Sequence, residues 1–298
     1  MTALALPLPR RHGLAVSTLL GGAVVWGLFW WPLKALDAAG IHGSFVQAVA
    51  YGLPALVLLP WAWRSHARWR GQVGLLLLIA LLGGWANASF ATSLTTGSVV
   101  RVLLLFYLAP VWTILAARLV LGEPFTRLRL TALALALAGL AFTLGGPELF
   151  DSPLATIDLL ALSSGLAFAL NNVVIRAGHG LPDAARAVAV FAGCALISLG
   201  FMGWNAQPLP ALEAPALLAL AALALAWVLP GTLATFYGVA RLDAGKAAIL
   251  LLAELVVGVV SAVIVGGESL SPLEAVGGAL ILAAAVIEAR AESAGGAS

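Results

Sequence analysis
Residues 122–126 read Gly122-Glu123-Pro124-Phe125-Thr126, and residues 267–271 read Gly267-Glu268-Ser269-Leu270-Ser271. The first follows the aliphatic run Leu119-Val120-Leu121 and the second follows Val263-Ile264-Val265; a long Ala/Leu/Gly stretch comes after each. Such a junction ends one helix and begins the next. Thr126 and Ser271 can each accept a hydrogen bond from a backbone N–H left free at a helix start. A carboxylate beside such a start meets the positive end of the helix dipole. Glu123 and Glu268 therefore read as junction residues rather than substrate ligands. The same junction occurring twice, 145 residues apart (122 to 267), points to an internal duplication.

Outward from these junctions the chain divides into ten apolar stretches, at about residues 14–36, 43–63, 71–93, 98–121, 126–145, 155–178, 184–204, 212–239, 245–266 and 272–289. A bilayer core about 30 Å thick needs roughly 20 apolar residues of helix. Of the 298 residues 62% are hydrophobic and 9% charged, against roughly 25% charged in a soluble domain, and the mean hydropathy is +1.06. A soluble fold has too little polar cover for that much apolar surface. The expectation is an all-α integral membrane protein with ten transmembrane helices. The first stretch, though preceded by Arg10-Arg11, is too long and too like its successors for a cleaved leader.

Lys and Arg accumulate in cytoplasmic loops. With the N-terminus inside, 13 of the 15 basic residues fall on cytoplasmic ends, and only Lys34 and Arg101 fall outside. Both termini are then cytoplasmic. Five helices per copy is an odd number, so the second copy enters the membrane from the opposite side. Residues 14–145 and 155–290 are expected to form two inverted-topology five-helix repeats.

Several function classes are disfavoured. The net charge of +2 is too small, and the basic residues too dispersed, for nucleic-acid binding. The single cysteine, Cys194, lacks a disulfide partner. No His-Glu-x-x-His or Gly-x-Ser-x-Gly motif occurs, and His12, His42, His66 and His179 lie in or beside loops. Ser163-Ser164-Gly165 has no partner base, which argues against an intramembrane enzyme. No metal or cofactor is expected, and no nucleotide-binding loop supplies ATP drive.

The two junctions, with Leu108-Ala109-Pro110-Val111 before the first and Ala253-Glu254-Leu255-Val256 before the second, resemble the ten-helix EamA-type members of the drug/metabolite transporter superfamily. The resemblance spans about residues 14–290. Where that family often has Glu-Pro, this chain keeps Glu254 and has Leu255. The first helix, Trp26-Gly27-Leu28-Phe29-Trp30-Trp31-Pro32, is most similar to bacterial exporters of aromatic and other amino acids. The resemblance implies an inner-membrane carrier whose central cavity lies between the repeats and opens to each side in turn. The third, fourth, eighth and ninth helices would wall it. In the small multidrug members a first-helix glutamate carries the proton; here that span has no acidic residue, and Asp37 lies at its outer edge.

Polar groups inside the spans are the candidate functional residues, because a charge at a helix centre costs about 2.5–3.5 kcal/mol. Glu254 lies nine residues beyond Gly245, about 14 Å along its helix at 1.5 Å per residue. Near the midplane it can bind a substrate ammonium, carry a proton, or act as a structural carboxylate. Arg101 and Lys246 can each attract a carboxylate or snorkel to the interface. Asn87, Asn171 and Asn172 can bind substrate or join helices. Trp26, Trp30, Trp85 and Trp227, with Tyr107 and Tyr237, stand deep enough to line an amphipathic cavity. Trp61, Trp63, Trp69 and Trp204 are placed as interface anchors. Pro110 and Pro230-Gly231 interrupt framing helices and are candidate hinges, with Gly83-Gly84 a similar weak point.

The leading expectation is a secondary transporter exporting amino acids or related amphipathic metabolites across a bacterial inner membrane. A proton-coupled multidrug or metabolite efflux carrier is the alternative, ahead of a channel. The partners are a small-molecule substrate and the lipid bilayer, and a fused duplication suits a monomer.

Overall fold
The computed structural model describes residues 8–109, 111–112, 115, 126–143, 154–177, 180–210, 212–239, 241–242 and 244–295; of these, 8–12, 129, 176–177, 244–246, 248–249 and 288–295 are described by backbone alone. Among the described residues there are helices and turns but no strand. In chain order they are α1 (Leu8–Gly27), α2 (Trp30–Ala38), α3 (Gly43–Arg64), α4 (His66–Trp69), a 3-10 turn (Arg70–Gln72), α5 (Val73–Thr96), α6 (Val99–Phe106), α7 (Arg127–Thr143), α8 (Thr156–Ala177) and α9 (Asp183–Trp204). Then follow α10 (Ala214–Ala222), a π-helical turn (Leu223–Val228), α11 (Leu229–Val239), α12 (Ala244–Ile264) and α13 (Pro272–Gly295).

Among the described residues, six stretches are long and apolar enough to cross a membrane: Gly13–Ala38, Gly43–Arg64, His66–Thr96, Thr156–Ile175, Asp183–Trp204 and Ala214–Val239. Leu130–Thr143, Leu250–Ile264 and Pro272–Ile287 are shorter apolar helices. The outer surface is apolar too, with Leu56, Leu77, Leu196, Leu218 and Ile264 each 65–75% exposed. Lipid solvates such a surface and water does not. The chain is a multi-pass membrane protein.

The helices pack by a rule of exchange. α3 lies on α9, α6 on α12 and α7 on α13, each pair joining equivalent helices of the two stretches. The other large contacts come as partners: α1 with α12 and α6 with α8; α1 with α11 and α8 with α5; α5 with α9 and α10 with α3. Swapping each helix for its counterpart turns every one of these contacts into another that exists.

Two spans that the structure describes throughout depart from a regular α-helix. The first is broken at Leu28-Phe29, between α1 and α2, where Pro32 brings no N–H to the next turn. The eighth widens into the π-helical turn at Leu223–Val228, just before Pro230, so the irregularity sits upstream of the Pro230-Gly231 pair rather than at it. A proline ring crowds the carbonyl one turn earlier, and widening relieves that clash. Gly83-Gly84 is no break: α5 runs through it. Those glycines serve close packing instead, because a Cβ at Gly84 would overlap the Gly193 backbone and one at Gly193 the Ala80 carbonyl. Pro110 lies outside the described residues.

The second junction is seen in full. Gly267, at φ +68°, turns the chain back after α12. The Ser271 hydroxyl then accepts from the Glu274 N–H at 3.2 Å, and the Glu274 carboxylate accepts from the Ser271 N–H at 3.0 Å. This reciprocal cap starts α13. Glu123, in the first junction, is outside the described residues.

Overpacking a tight crossing costs about 1–3 kcal/mol. Gly193→Leu is expected to lower the thermal unfolding midpoint in detergent, whereas Gly200→Leu, beside open space on the same helix, leaves it in place. Thermal-shift measurements on the two variants check this.

Candidate functional site
The centre of the bundle is assembled where α1, α6 and α12 meet. Gly27 ends α1 against α12 so closely that a Cβ there would lie 2.7 Å from the Glu254 carbonyl oxygen and 2.9 Å from Val257. α6 stops at Phe106, and the chain turns at Tyr107–Leu108. That turn delivers the Tyr107 hydroxyl to α12, where it donates to the Leu251 carbonyl oxygen at 3.4 Å and stands within reach of the Glu254 side chain.

A second tyrosine belongs to the wider surroundings of this carboxylate. Tyr51 of α3 is buried within electrostatic reach of Glu254. Its hydroxyl donates to Asn87 Oδ1 at 3.0 Å, and Asn87 Nδ2 donates to the Gly83 carbonyl at 2.8 Å. The Tyr51 ring meets Phe29 and Phe191 edge-on, with centroids 6.4 and 5.8 Å away, and Phe29 in turn meets Trp26 at 5.3 Å. Glu254 thus sits half-buried with the two tyrosines in its surroundings. In a low dielectric a carboxylate so placed takes a proton or a cationic ligand.

The other candidates are distributed around this centre. Trp30 is buried and donates from Nε1 to Ser261 Oγ at 2.9 Å, on α12 two turns from Glu254. Trp227 donates to the Val25 carbonyl at 2.9 Å, and Gly231 packs against Val25 and Trp26. Trp85 binds Ser163 Oγ at 3.1 Å, joining α5 to α8. Asn171 is buried beside Gly83 with its Oδ1 lacking a hydrogen-bond partner, and Asn172 is half-buried. Tyr237 lies away from the centre, under the Arg241 guanidinium at 3.8 Å and packed on Ala15 and Leu19. Lys246 begins α12 and is described by backbone alone.

Arg101 belongs to a different node, at the end of the bundle that holds the α6 start. Its guanidinium makes a two-pronged ion pair with Asp158, Nε to Oδ1 at 2.7 Å and Nη2 to Oδ2 at 2.8 Å, and Nη1 donates to the Thr143 carbonyl at 3.4 Å. Asp158 Oδ2 also accepts from the Ala155 N–H at 3.2 Å, at the start of α8. Fork-to-fork pairing of this kind engages the charge fully.

Beside it, Glu268 completes the start of α6. Its carboxylate accepts from the Val99 N–H at 2.9 Å, the Val100 N–H at 3.1 Å, the Ser98 hydroxyl at 2.8 Å and Lys34 Nζ at 3.1 Å. Burial pushes this carboxyl up, but the Val99, Val100, Ser98 and Lys34 donors outweigh burial and hold it below its ordinary value. Lys34 also donates to the Gly97 carbonyl at 3.2 Å. Among the described residues, no three His, Cys, Asp or Glu side chains come together as metal ligands.

Sequence reasoning singled out Glu254 and Tyr107 as candidates but not Tyr51, Asp158 or the Glu268–Lys34 contact. Asp158 left a signal, an acidic residue in the first turn of a span. Tyr51 left none, being one apolar-span residue among many.

The model of a family described as the EamA-like transporter family matches this chain at residues 13–145 and again at 155–288. No curated protein matches it. A solved protein described only as "Crystal structure of protein" is similar in fold, with a TM-score of 0.60 at 19% identity over 92% of this chain and 94% of that one.

The Glu268 node carries a pH dependence. A carboxyl whose folded value is lowered adds stability that is complete above its ordinary value of 4.5 and is lost as the pH falls through the lower folded value. Melting midpoints measured from neutral to strongly acidic pH should therefore converge for wild type and Glu268→Gln at the acid end. Wild type should be the more stable above pH 4.5.

Proposed function
We propose that this chain, which belongs to the EamA-like transporter family, is a secondary carrier exporting amino acids and related small amphipathic metabolites across a bacterial inner membrane. Membership of that family makes it a membrane transporter of the drug/metabolite transporter superfamily. The substrate class, direction and mechanism are our reading. Two inverted repeats, over about residues 14–145 and 155–290, alternate a central site between the two sides, with ten spans and both termini in the cytoplasm. The basic residues of the loops support that orientation, and the exchange rule among helix contacts supports the repeats. Each chain works as a monomer, since the duplication supplies both halves.

The observation that carries this reading is the Glu254 carboxylate, half-buried in mid-span and met by Tyr107 from the equivalent helix of the other repeat. An amino acid's ammonium replaces a missing cation there, while Trp26 and Phe29 offer apolar walls to its side chain. Asn171 Oδ1, buried without a partner, and Asn172 are available for further polar contacts. Arg101 serves chiefly to fasten α6 to α8, because Asp158 already engages its charge. Lys246, Trp85 and Tyr237 are supporting positions around the path, and Pro110 and Pro230-Gly231 allow the framing helices to bend.

The same carboxylate also favours a second reading, proton-coupled efflux of a broader range of metabolites, since a neutral surround lets Glu254 exchange a proton for the substrate cation. Uptake of labelled amino acids into proteoliposomes, with and without an imposed pH gradient, tests both. Taking a polar group away from a buried partner costs about 1–3 kcal/mol. Tyr107→Phe is therefore expected to slow flux roughly ten- to hundredfold, and Glu254→Gln at least as much. No saturable uptake by wild type across a broad amino-acid panel would overturn the carrier assignment. A flux indifferent to Glu254→Gln would make that carboxylate structural.

A further inference from the structure
The first span changes partners halfway along its length. α1 packs on α11 and α12, whereas α2 packs on α3 and α5. Between them the backbone ladder is interrupted. The Phe29 N–H, which would pair with the Val25 carbonyl in a continuous helix, bonds instead to Trp26 at 3.0 Å, and the Trp31 N–H bonds to Leu28 at 3.1 Å. The Val25 carbonyl left over is taken by the Trp227 indole N–H at 2.9 Å, from the π-helical turn before α11. A carbonyl without a partner in hydrocarbon is costly. The break is therefore a built junction, in which the Phe29 and Trp31 N–H groups bond one residue nearer than in an α-helix.

The far end of α2 is fastened elsewhere. Lys34 reaches Glu268 and the Gly97 carbonyl, while Glu268 holds the α6 start through Val99, Val100 and Ser98. One carboxylate thus ties together α2, α6 and the loop after α12. Below it, Trp30 of α2 is bonded to Ser261, which stands seven residues, or about 10 Å, beyond Glu254 along α12. Trp30 lies between the latch and the central carboxylate.

We propose that α2 is the outer gate of this transporter, swinging on Gly27–Phe29, with Trp30 as its plug and Glu268 as the latch that holds it shut. This rests on the carrier reading above and on its placement of Lys34 and Glu268 at the outer face. Releasing the Glu268 carboxylate from Lys34 and from the α6 N–H groups frees α2 to move with Trp30, opening a path from outside to Glu254. Trp227 keeps the Val25 carbonyl satisfied during the swing, so the bend costs no orphaned backbone group.

The test uses right-side-out vesicles carrying the full chain with Cys194→Ala and a reporter, Ala262→Cys. Ala262 is fully buried beside Ser261. A membrane-impermeant methanethiosulfonate reagent is added outside, and the rate of modification is measured. Glu268→Gln and Lys34→Met should each raise that rate by about tenfold or more, as a population shift toward the open form requires. Glu274→Gln, a carboxylate of the neighbouring cap, should leave it unchanged. An unchanged rate in Glu268→Gln protein that remains monodisperse overturns the latch.

Because Glu268→Gln can also weaken folding, a second variant, Lys34→Cys with Glu268→Cys, is bridged by a bis-methanethiosulfonate reagent long enough to span the ion pair, which closes the latch through disulfides. Flux should stop and return on reduction; flux that continues with the bridge in place overturns the gate. If wild type shows no flux at all, the carrier reading fails, and the labelling rates still decide whether α2 opens.

Discussion
Hydrocarbon offers no hydrogen bonds, so every carbonyl freed by a helix break and every charge in this chain must find its partner within the protein. That constraint explains the unusual contacts. The Val25 carbonyl is met by an indole from a distant helix. The free N–H groups at the α6 start are met by Glu268. Asp158, buried, is met by the fork of Arg101 and by the backbone at its own helix start. Hydroxyls within spans mostly turn back on their own helices, as Ser89, Ser93 and Thr143 do.

The contacts of Val25 with Trp227, of the α6 start with Glu268 and of Arg101 with Asp158 join segments far apart in the chain, and together they set the register of the bundle. Close packing does the rest. Because lipid gives no hydrophobic gain for bringing two apolar helices together, association relies on contact between small residues. Gly139 and Gly277 let α7 and α13 approach until a Cβ at either would crowd the other's carbonyl. At Gly27 the same closeness brings the Glu254 backbone against the first span. The central site is thus a consequence of packing: a bulkier residue at position 27 would push α12 away from it.

The two halves of the molecule use the polar constraint differently. At mid-depth, Glu254 has hydroxyl neighbours, an incomplete arrangement that suits exchange of ligand or proton. At the end of the bundle, Glu268 and Asp158 are each satisfied by several donors, which suits holding helices in place. The same residue type is thus divided between binding and fastening by the number of donors around it.

Much of this was legible in the sequence. Long apolar stretches meant spans, the repeated Gly-Glu junction meant duplication, and a lone glutamate in mid-span marked a candidate site, because each reflects a cost that is local to the segment. Ser271 could be read as a helix cap for the same reason. What only the tertiary structure decided was pairing. Nothing local marks Asp158 as the partner of Arg101, Tyr51 as a neighbour of Glu254, or Tyr237 as remote from the centre. The break at Leu28-Phe29 was likewise hidden, since its energetic feasibility depends on Trp227, 202 residues away from Val25. A span is dictated by its own transfer to lipid; a polar contact within the bundle is dictated by which helix arrives beside it.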